Sequence, residues 1–201
     1  MSKAVLISIN PEWVEKIFSG EKIIEFRKKI PNCKLPCKYY IYETKKRICT
    51  CNVPDLYAYR YGKGKVVGEF TLNYWYKFGF EVEDNGVHYV DTNDWQRYFE
   101  PKMSIASIKR GCVPLDQLRK YLNGKDGYAL YIDDLKKYDQ PKELSEFNKY
   151  FDYKDYPCDK CEHSYTNREE CCIECELGDY KDCVYTKLTK APQSWCYVEA
   201  K

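Results

Sequence analysis

Lys22, Glu25 and Arg27 stand together in the stretch "SGEKIIEFRKK", Ser19 to Lys29. Lysine and arginine can bind phosphate or carbonyl oxygen, arginine through a two-pronged fork. A carboxylate between them can orient either cation or accept from the amino group of a base. The spacing sets a condition. On a strand Ile23, Glu25 and Arg27 share one face and Lys22, Ile24 and Phe26 the other. Lys22 can join the other two only if the chain bends at Gly20 and leaves Lys22 in the turn. Without that bend, Glu25 and Arg27 are an ordinary surface ion pair of about 0–1 kcal/mol.

A second constellation lies near the C-terminus. Cys158-x2-Cys161, ten intervening residues and Cys172-x2-Cys175 form two knuckles. Such knuckles can place four thiolates around a zinc ion at about 2.3 Å and fold a segment too polar to fold by itself. Four thiolates leave no open position for water, so the expected zinc is structural. Cys171, Cys183 and His163 are alternates for one of the four ligands, and a loop of reduced thiols is the competing reading. Cys33, Cys37, Cys49 and Cys51 are spaced too irregularly, among basic flanks, to be assigned a second metal. His88 is expected on a surface strand.

The chain has 201 residues, 44% of them hydrophobic, enough for one well-filled domain with an appended module. Its 21 Tyr and 4 Trp suit a wet concave surface as well as a core. The apolar run "AVLISI" is too short to span a membrane and lacks the flanks of an export signal, so a cytoplasmic protein without membrane association is expected. The net charge of +2 hides a segregation. Residues 16–65 hold 13 Lys/Arg against 4 Asp/Glu, whereas residues 151–183 hold 4 against 10. A basic half of this kind attracts phosphates.

The elements that must position these residues are short. "AVLISIN" reads as a strand and "PEWVEKIFSG" as a helix, with Pro11 at its start and Gly20 as its stop. "EKIIEFR", "KYYIYET" and "KVVGEFTL" read as strands. Asp84-Asn85-Gly86 marks a hairpin turn. "DWQRYFEPK" and "PLDQLRKYLNG" read as helices, "GYALYI" as a strand, and "DDLKKYDQPKEL" as an edge segment because Pro141 cannot donate to a central ladder. The closing "APQSWCYVE" returns to strand. The pattern predicts an α+β fold with a barrel-like sheet closed by its terminal strand, spanning 1–153 and completed by 184–201, with a cysteine-rich insertion over 154–183. No glycine-rich phosphate loop follows the first strand, so a dinucleotide fold is not expected.

The segments "LISINPEWVEKIFSGEKIIEFRKKIP", "YIYET", "VVGEF" and "APQSWCYV", in that order, resemble the ASCH domain family of the PUA-like superfamily. The family's G-x-K-x-x-E-x-R pattern falls on Gly20, Lys22, Glu25 and Arg27. The resemblance implies a barrel with short flanking helices and a cleft beside the first helix that binds RNA or a modified nucleotide. Tyr40, Tyr42 or Trp195 can supply a stacking face there. Some similar proteins hydrolyse acylated cytidine with the motif lysine, a threonine three residues on and a glutamate from a later strand. Here Lys22 and Glu69 fit, but the threonine position is Glu25, so no hydroxyl nucleophile is supplied. Lys22 and Glu25 can also be read as the acid and base of an RNA phosphodiester hydrolase. The expectation is therefore an RNA or modified-nucleotide binder. The alternatives are a small hydrolase using Lys22, Glu25 and Glu69, and an interaction module whose cysteine-rich insertion grips a protein partner.

Overall fold

The computed structural model describes residues 3–49, 59–82, 88–91, 102–103, 108–150 and 187–201. Strand β1 (Lys3–Ile9) leads through helix α1 (Pro11–Phe18) to β2 (Ile24–Arg27) and β3 (Cys37–Glu43). Two short strands, β4 (Arg47–Cys49) and β5 (Tyr59–Tyr61), precede β6 (Lys65–Leu72) and β7 (Trp75–Val82). Then follow β8 (His88–Asp91), β9 (Lys102–Met103), helix α2 (Leu115–Leu122), β10 (Gly127–Tyr131), β11 (Asp133–Lys142) and β12 (Trp195–Glu199).

The strands form two five-stranded sheets, in orders β11-β6-β3-β1-β12 and β2-β10-β7-β8-β9, and a separate β4-β5 ribbon. The fold is thus mixed and sheet-dominated, but no closed barrel forms among the described residues. The sheets meet at one corner, where β6 runs on into β7 and β10 into β11. There Tyr131 N donates to Tyr74 O at 3.4 Å and Asn73 Nδ2 to Asp133 Oδ2 at 3.1 Å. At the opposite seam β12 and β2 are both sheet edges, and no ladder joins them. The expected single closed sheet is replaced by two sheets because strands turn the corner on one side only.

Period-two alternation on β1 and β3 gives the first sheet a core on each face. Val5, Ile7, Ile9, Tyr39 and Ile41 pack with Val14 and Ile17 of α1, while Ala4, Leu6, Tyr40 and Tyr42 pack with Phe147, Leu188 and Val198. The second sheet packs Ile24, Phe26, Phe78 and Ala129 against Leu118 and Leu122 of α2. Both helices start and stop as the sequence indicates. Pro11 opens α1 and Gly20 follows it at φ +79°; Pro114 precedes α2, and Asn123 ends it in the left-handed conformation at φ 53°. Of the segment 94–102, expected to be helical, 94–101 lies outside the described residues and Lys102 belongs to strand β9; the Asp84-Asn85-Gly86 turn and the insertion also lie outside the described residues. β11 forms the edge of its sheet, as Pro141 requires.

Gly68 shows how tightly the first sheet is built. It sits in β6 between Ile41 of β3 and Lys137 of β11, and a Cβ there would lie 2.5 Å from Lys136 O and 2.8 Å from Phe18 Cζ. The nearest obstacle is backbone, which cannot swing away. Gly68→Ala is expected to destabilise the protein by about 1–3 kcal/mol, read as a lower urea midpoint in equilibrium unfolding.

Candidate functional site

The chain bends where the motif requires it. Beyond α1, Gly20 N donates to Ile17 O at 3.1 Å and Lys22 N to Lys16 O at 2.9 Å. Lys22 is therefore held in the turn, ahead of the β2 ladder that begins at Ile24. From there its side chain reaches Glu25 and Arg27.

The three side chains form a buried chain of charge. Lys22 Nζ lies 3.3 Å from Glu25 Oε2, and Arg27 Nη2 lies 2.9 Å from Glu25 Oε1. Lys22 is only 1% exposed, Glu25 6% and Arg27 8%, so the pairing is not the surface contact that strand alternation alone allowed. Lys22 Nζ also donates to Ile24 O at 2.7 Å and Gly111 O at 2.6 Å. Its three N–H groups thus have three acceptors. Trp13 and Phe26 lie beside the ammonium, with ring centroids 5.5 and 5.4 Å away. Burial pushes the Lys22 pKa down, and Glu25 opposes that shift.

Arg27 spans the seam between the sheets. Its Nη2 donates to Ser8 O of β1 at 2.7 Å and its Nη1 to Ser194 Oγ at 3.3 Å, while its buried Nε has no hydrogen-bond partner among the described residues. Ser8 in turn holds the incoming C-terminal segment, donating its backbone N–H to the carbonyl of Ser194 at 2.9 Å and its Oγ–H to Pro192 O at 2.7 Å.

Above this chain opens a cavity of about 360 Å³. The triad forms its charged floor. Asn10, Trp13 and Thr44 stand on the α1 side, Gln117 and Tyr121 on the α2 side, and Gln193 and Ser194 on the C-terminal segment. Gln117 and Tyr121 are one helical turn apart, and so are Leu118 and Leu122 on the core-facing stripe of the same helix. Tyr121 is 41% exposed and forms a lip, with Lys28 Nζ 4.9 Å from its ring centroid. The polar lining residues Asn10, Gln117 and Gln193 carried no recognisable signal in the sequence. Gln117 and Tyr121 could have been found from their i, i+4 spacing beside the apolar stripe of α2.

Other residues named from the sequence lie elsewhere. Tyr40 and Tyr42 point to the opposite face of the first sheet, into the core of Phe147 and Leu188. Trp195 is paired in register with Ile7 and packs at the margin of the core under α1, 5.4 Å from the Tyr197 ring. Glu69 sits opposite Tyr40, accepts from Tyr138 Oη and lies 3.5 Å from Lys38 Nζ. None of these four lines the cavity. Cys158, Cys161, Cys171, Cys172, Cys175, Cys183 and His163 lie outside the described residues. Among the described residues no cluster of three or more His, Cys, Asp or Glu side chains could hold a metal. Cys33 and Cys37 are neighbouring thiols: interaction with Cys37 holds the Cys33 pKa down while burial opposes that shift, and the Cys37 thiol donates to Lys38 O at 3.8 Å.

No protein-family model matches the sequence. The chain is 28% identical over 124 residues to a protein of Zymomonas mobilis subsp. mobilis described as an ASCH domain-containing ribonuclease, an alignment covering 59% of this chain and 75% of the relative. Crystal structures of ASCH from Zymomonas mobilis and of a Tyr-to-Phe variant of it share 23% identity with this chain over 70% of its length. They are covered over 73% and 76% of their own, with TM-scores of 0.44 and 0.45. The chain is thus similar, over 59% of its length, to a protein described by its ASCH domain. No helix among the described residues is long and apolar enough to cross a membrane.

Among the described residues, the carboxylate of Glu25 is the only negative charge paired with the two buried cations. Glu25→Gln keeps the shape but leaves both cations uncompensated. It is expected to cost about 3–5 kcal/mol, measured by chemical denaturation.

Proposed function

We propose that this protein binds RNA or a modified nucleotide, taking one nucleotide into the cavity above Lys22, Glu25 and Arg27. The observation that carries this reading is the excess of one positive charge at the floor of an open cavity, two cations against one carboxylate, with a guanidinium N–H left unpartnered. An anionic or carbonyl-rich ligand balances that charge. The remaining lining matches the other parts of a nucleotide: amide side chains for a base edge, Trp13 and Tyr121 as apolar faces, and a volume suited to one base. The similarity to a protein described as a ribonuclease supports an RNA ligand at family level.

Within this reading Lys22 is a positioning residue. All three of its donors are engaged by the protein, so its role is to fix Glu25 and the turn, while Arg27 faces the ligand. Binding is favoured over hydrolysis because position 25 offers no hydroxyl nucleophile and Glu69 lies on another face of the sheet. RNA cleavage is the second reading, favoured by the relative's description. It would use Glu25 as base.

Equilibrium binding of a single-stranded oligoribonucleotide, titrated with salt, tests the proposal. Arg27→Ala is expected to weaken binding and lower the salt slope by about one, as for one lost phosphate contact. Tyr121→Ala, on the exposed lip, is expected to weaken binding with the slope unchanged. Unaltered affinity in both variants overturns the cavity as the binding site. Conversion of the same labelled RNA to shorter products by the wild-type chain, lost in Glu25→Gln under conditions where that variant is folded, establishes cleavage instead.

For residues 154–183 we propose a separate insertion holding one structural zinc through Cys158, Cys161, Cys172 and Cys175. The support is ligand spacing, together with a composition too acidic and polar to build its own core. Protein purified without added zinc is expected to contain about one equivalent per chain. Absence of metal with all twelve thiols titratable would overturn it.

A further inference from the structure

The basic first third of the chain is not used up by the cavity, and much of the remainder converges on the β4-β5 ribbon. Residues 44–65 hold six Lys/Arg against one Asp/Glu. The ribbon pairs Arg47 with Tyr61, Ile48 with Arg60 and Cys49 with Tyr59. Residues opposite each other in an antiparallel pair share a face, and alternate residues change face. One face therefore carries Arg47, Tyr59 and Tyr61, and the other carries Arg60.

The two faces have different work. Arg60 binds the ribbon to the domain: its Nη1 lies 2.9 Å from Glu43 Oε1, buried at the end of β3, and its Nε donates to Glu15 Oε1 of α1 at 2.8 Å. The opposite face carries exposed rings. Tyr61 is 66% exposed and Tyr59 42%, and the Arg47 guanidinium lies 3.8 Å from the Tyr59 ring centroid, in stacking contact. Lys45, Lys46, Arg47 and Lys63 are exposed and form no ion pair with a described residue. Stacking rings interleaved with unpaired cations match a single-stranded nucleic acid, whose bases and phosphates alternate at similar spacing.

The ribbon is also continuous with the cavity. Its root is Thr44, which lines the cavity, donates its N–H to Ile9 O at 3.0 Å and shares a side-chain hydrogen bond with Asn10. Gly62 packs directly on it, since a Cβ at Gly62 would lie 1.8 Å from Thr44 O. A strand with one nucleotide in the cavity would meet the ribbon as it leaves past Thr44.

We infer that the outer face of the β4-β5 ribbon is a second RNA-contacting surface, on which Tyr59, Tyr61 and Arg47 stack the bases adjoining the nucleotide held in the cavity. This rests on the RNA-binding reading above and extends it to the length of strand recognised. The test compares oligoribonucleotides of about two and about twelve nucleotides on the full chain. The longer one is expected to bind more tightly to wild type. The double variant Tyr59→Ala, Tyr61→Ala should lose about tenfold or more in affinity for it while binding the shorter one unchanged. Tyr61→Phe, which keeps the ring, should bind as wild type. Arg27→Ala should weaken both oligonucleotides. Equal affinity of wild type and the double variant for the longer RNA overturns the ribbon surface and leaves the cavity reading standing. Failure of wild type to bind either RNA overturns both. Equal loss of affinity for both lengths in the double variant, with an unchanged melting temperature, overturns the division of labour. Tyrosine-dependent binding to vesicles of phosphatidylserine in phosphatidylcholine, without binding to the longer RNA, would make the occupant a membrane and overturn the proposal.

Discussion

The guanidinium of Arg27 replaces a missing strand ladder. It leaves the edge of one sheet, binds a main-chain carbonyl of the other and touches the segment that leads into the final strand. A guanidinium suits this place because it is planar, stays charged and offers donors in several directions, whereas an ammonium could not span the same partners from a fixed position. The arrangement buries charge, which is costly. Glu25 offsets part of that cost, and Lys22, itself held by Ile24 O and Gly111 O, pairs with Glu25. A hydrophobic substitution of the whole group would be the easier way to stabilise a seam. Retention of three charges at this spot is better accounted for by the cavity above them than by stability.

The rest of the architecture sets the shape of that cavity. The sheets are joined at the Tyr74–Tyr131 corner, and the cavity opens at the Arg27 seam, where no ladder joins β2 to β12. Helix α1 supplies Trp13 from the first sheet and α2 supplies Gln117 and Tyr121 from the second. Each helix is fixed by apolar residues one position away from those it presents: Val14 beside Trp13, Leu118 beside Gln117. The side chains that line the two walls are thus carried by elements anchored in different cores. Any change in the angle between the sheets would change the cavity directly.

Much of this was legible in the sequence where the signal was local. The turn at Gly20 and the gathering of Lys22, Glu25 and Arg27 follow from a helix stop placed just ahead of the motif. The limits of α1 and α2 follow from Pro and Gly or Asn at their ends. Residues whose placement depends on register were not legible. Tyr42 and Tyr40 sit in a strand buried on both faces, where apolar and aromatic residues alternate without polar punctuation, so face parity cannot be read. Trp195 takes its direction from pairing with Ile7, a contact across most of the chain. The β4-β5 ribbon escaped notice because three-residue strands rich in Arg and Tyr, separated by a longer segment, carry no hairpin signature.

The cysteine-rich segment is acidic, whereas residues 16–65 are basic. It leaves the described structure after Tyr150 and returns at Lys187. Its two ends are tied together before it begins: Asn148 bridges Lys187, Leu188 N donates to Phe147 O at 2.9 Å, and Tyr150 N donates to Tyr197 O at 3.1 Å. Phe147 and Leu188 are both buried in the core on the outer face of the first sheet. The domain therefore closes across the excursion by its own contacts. Because closure entropy grows only as the logarithm of loop length, a long loop costs little more than a short one. Residues 151–183 hold ten carboxylates against four cations, in a chain whose β4-β5 ribbon and cavity floor carry the opposite sign.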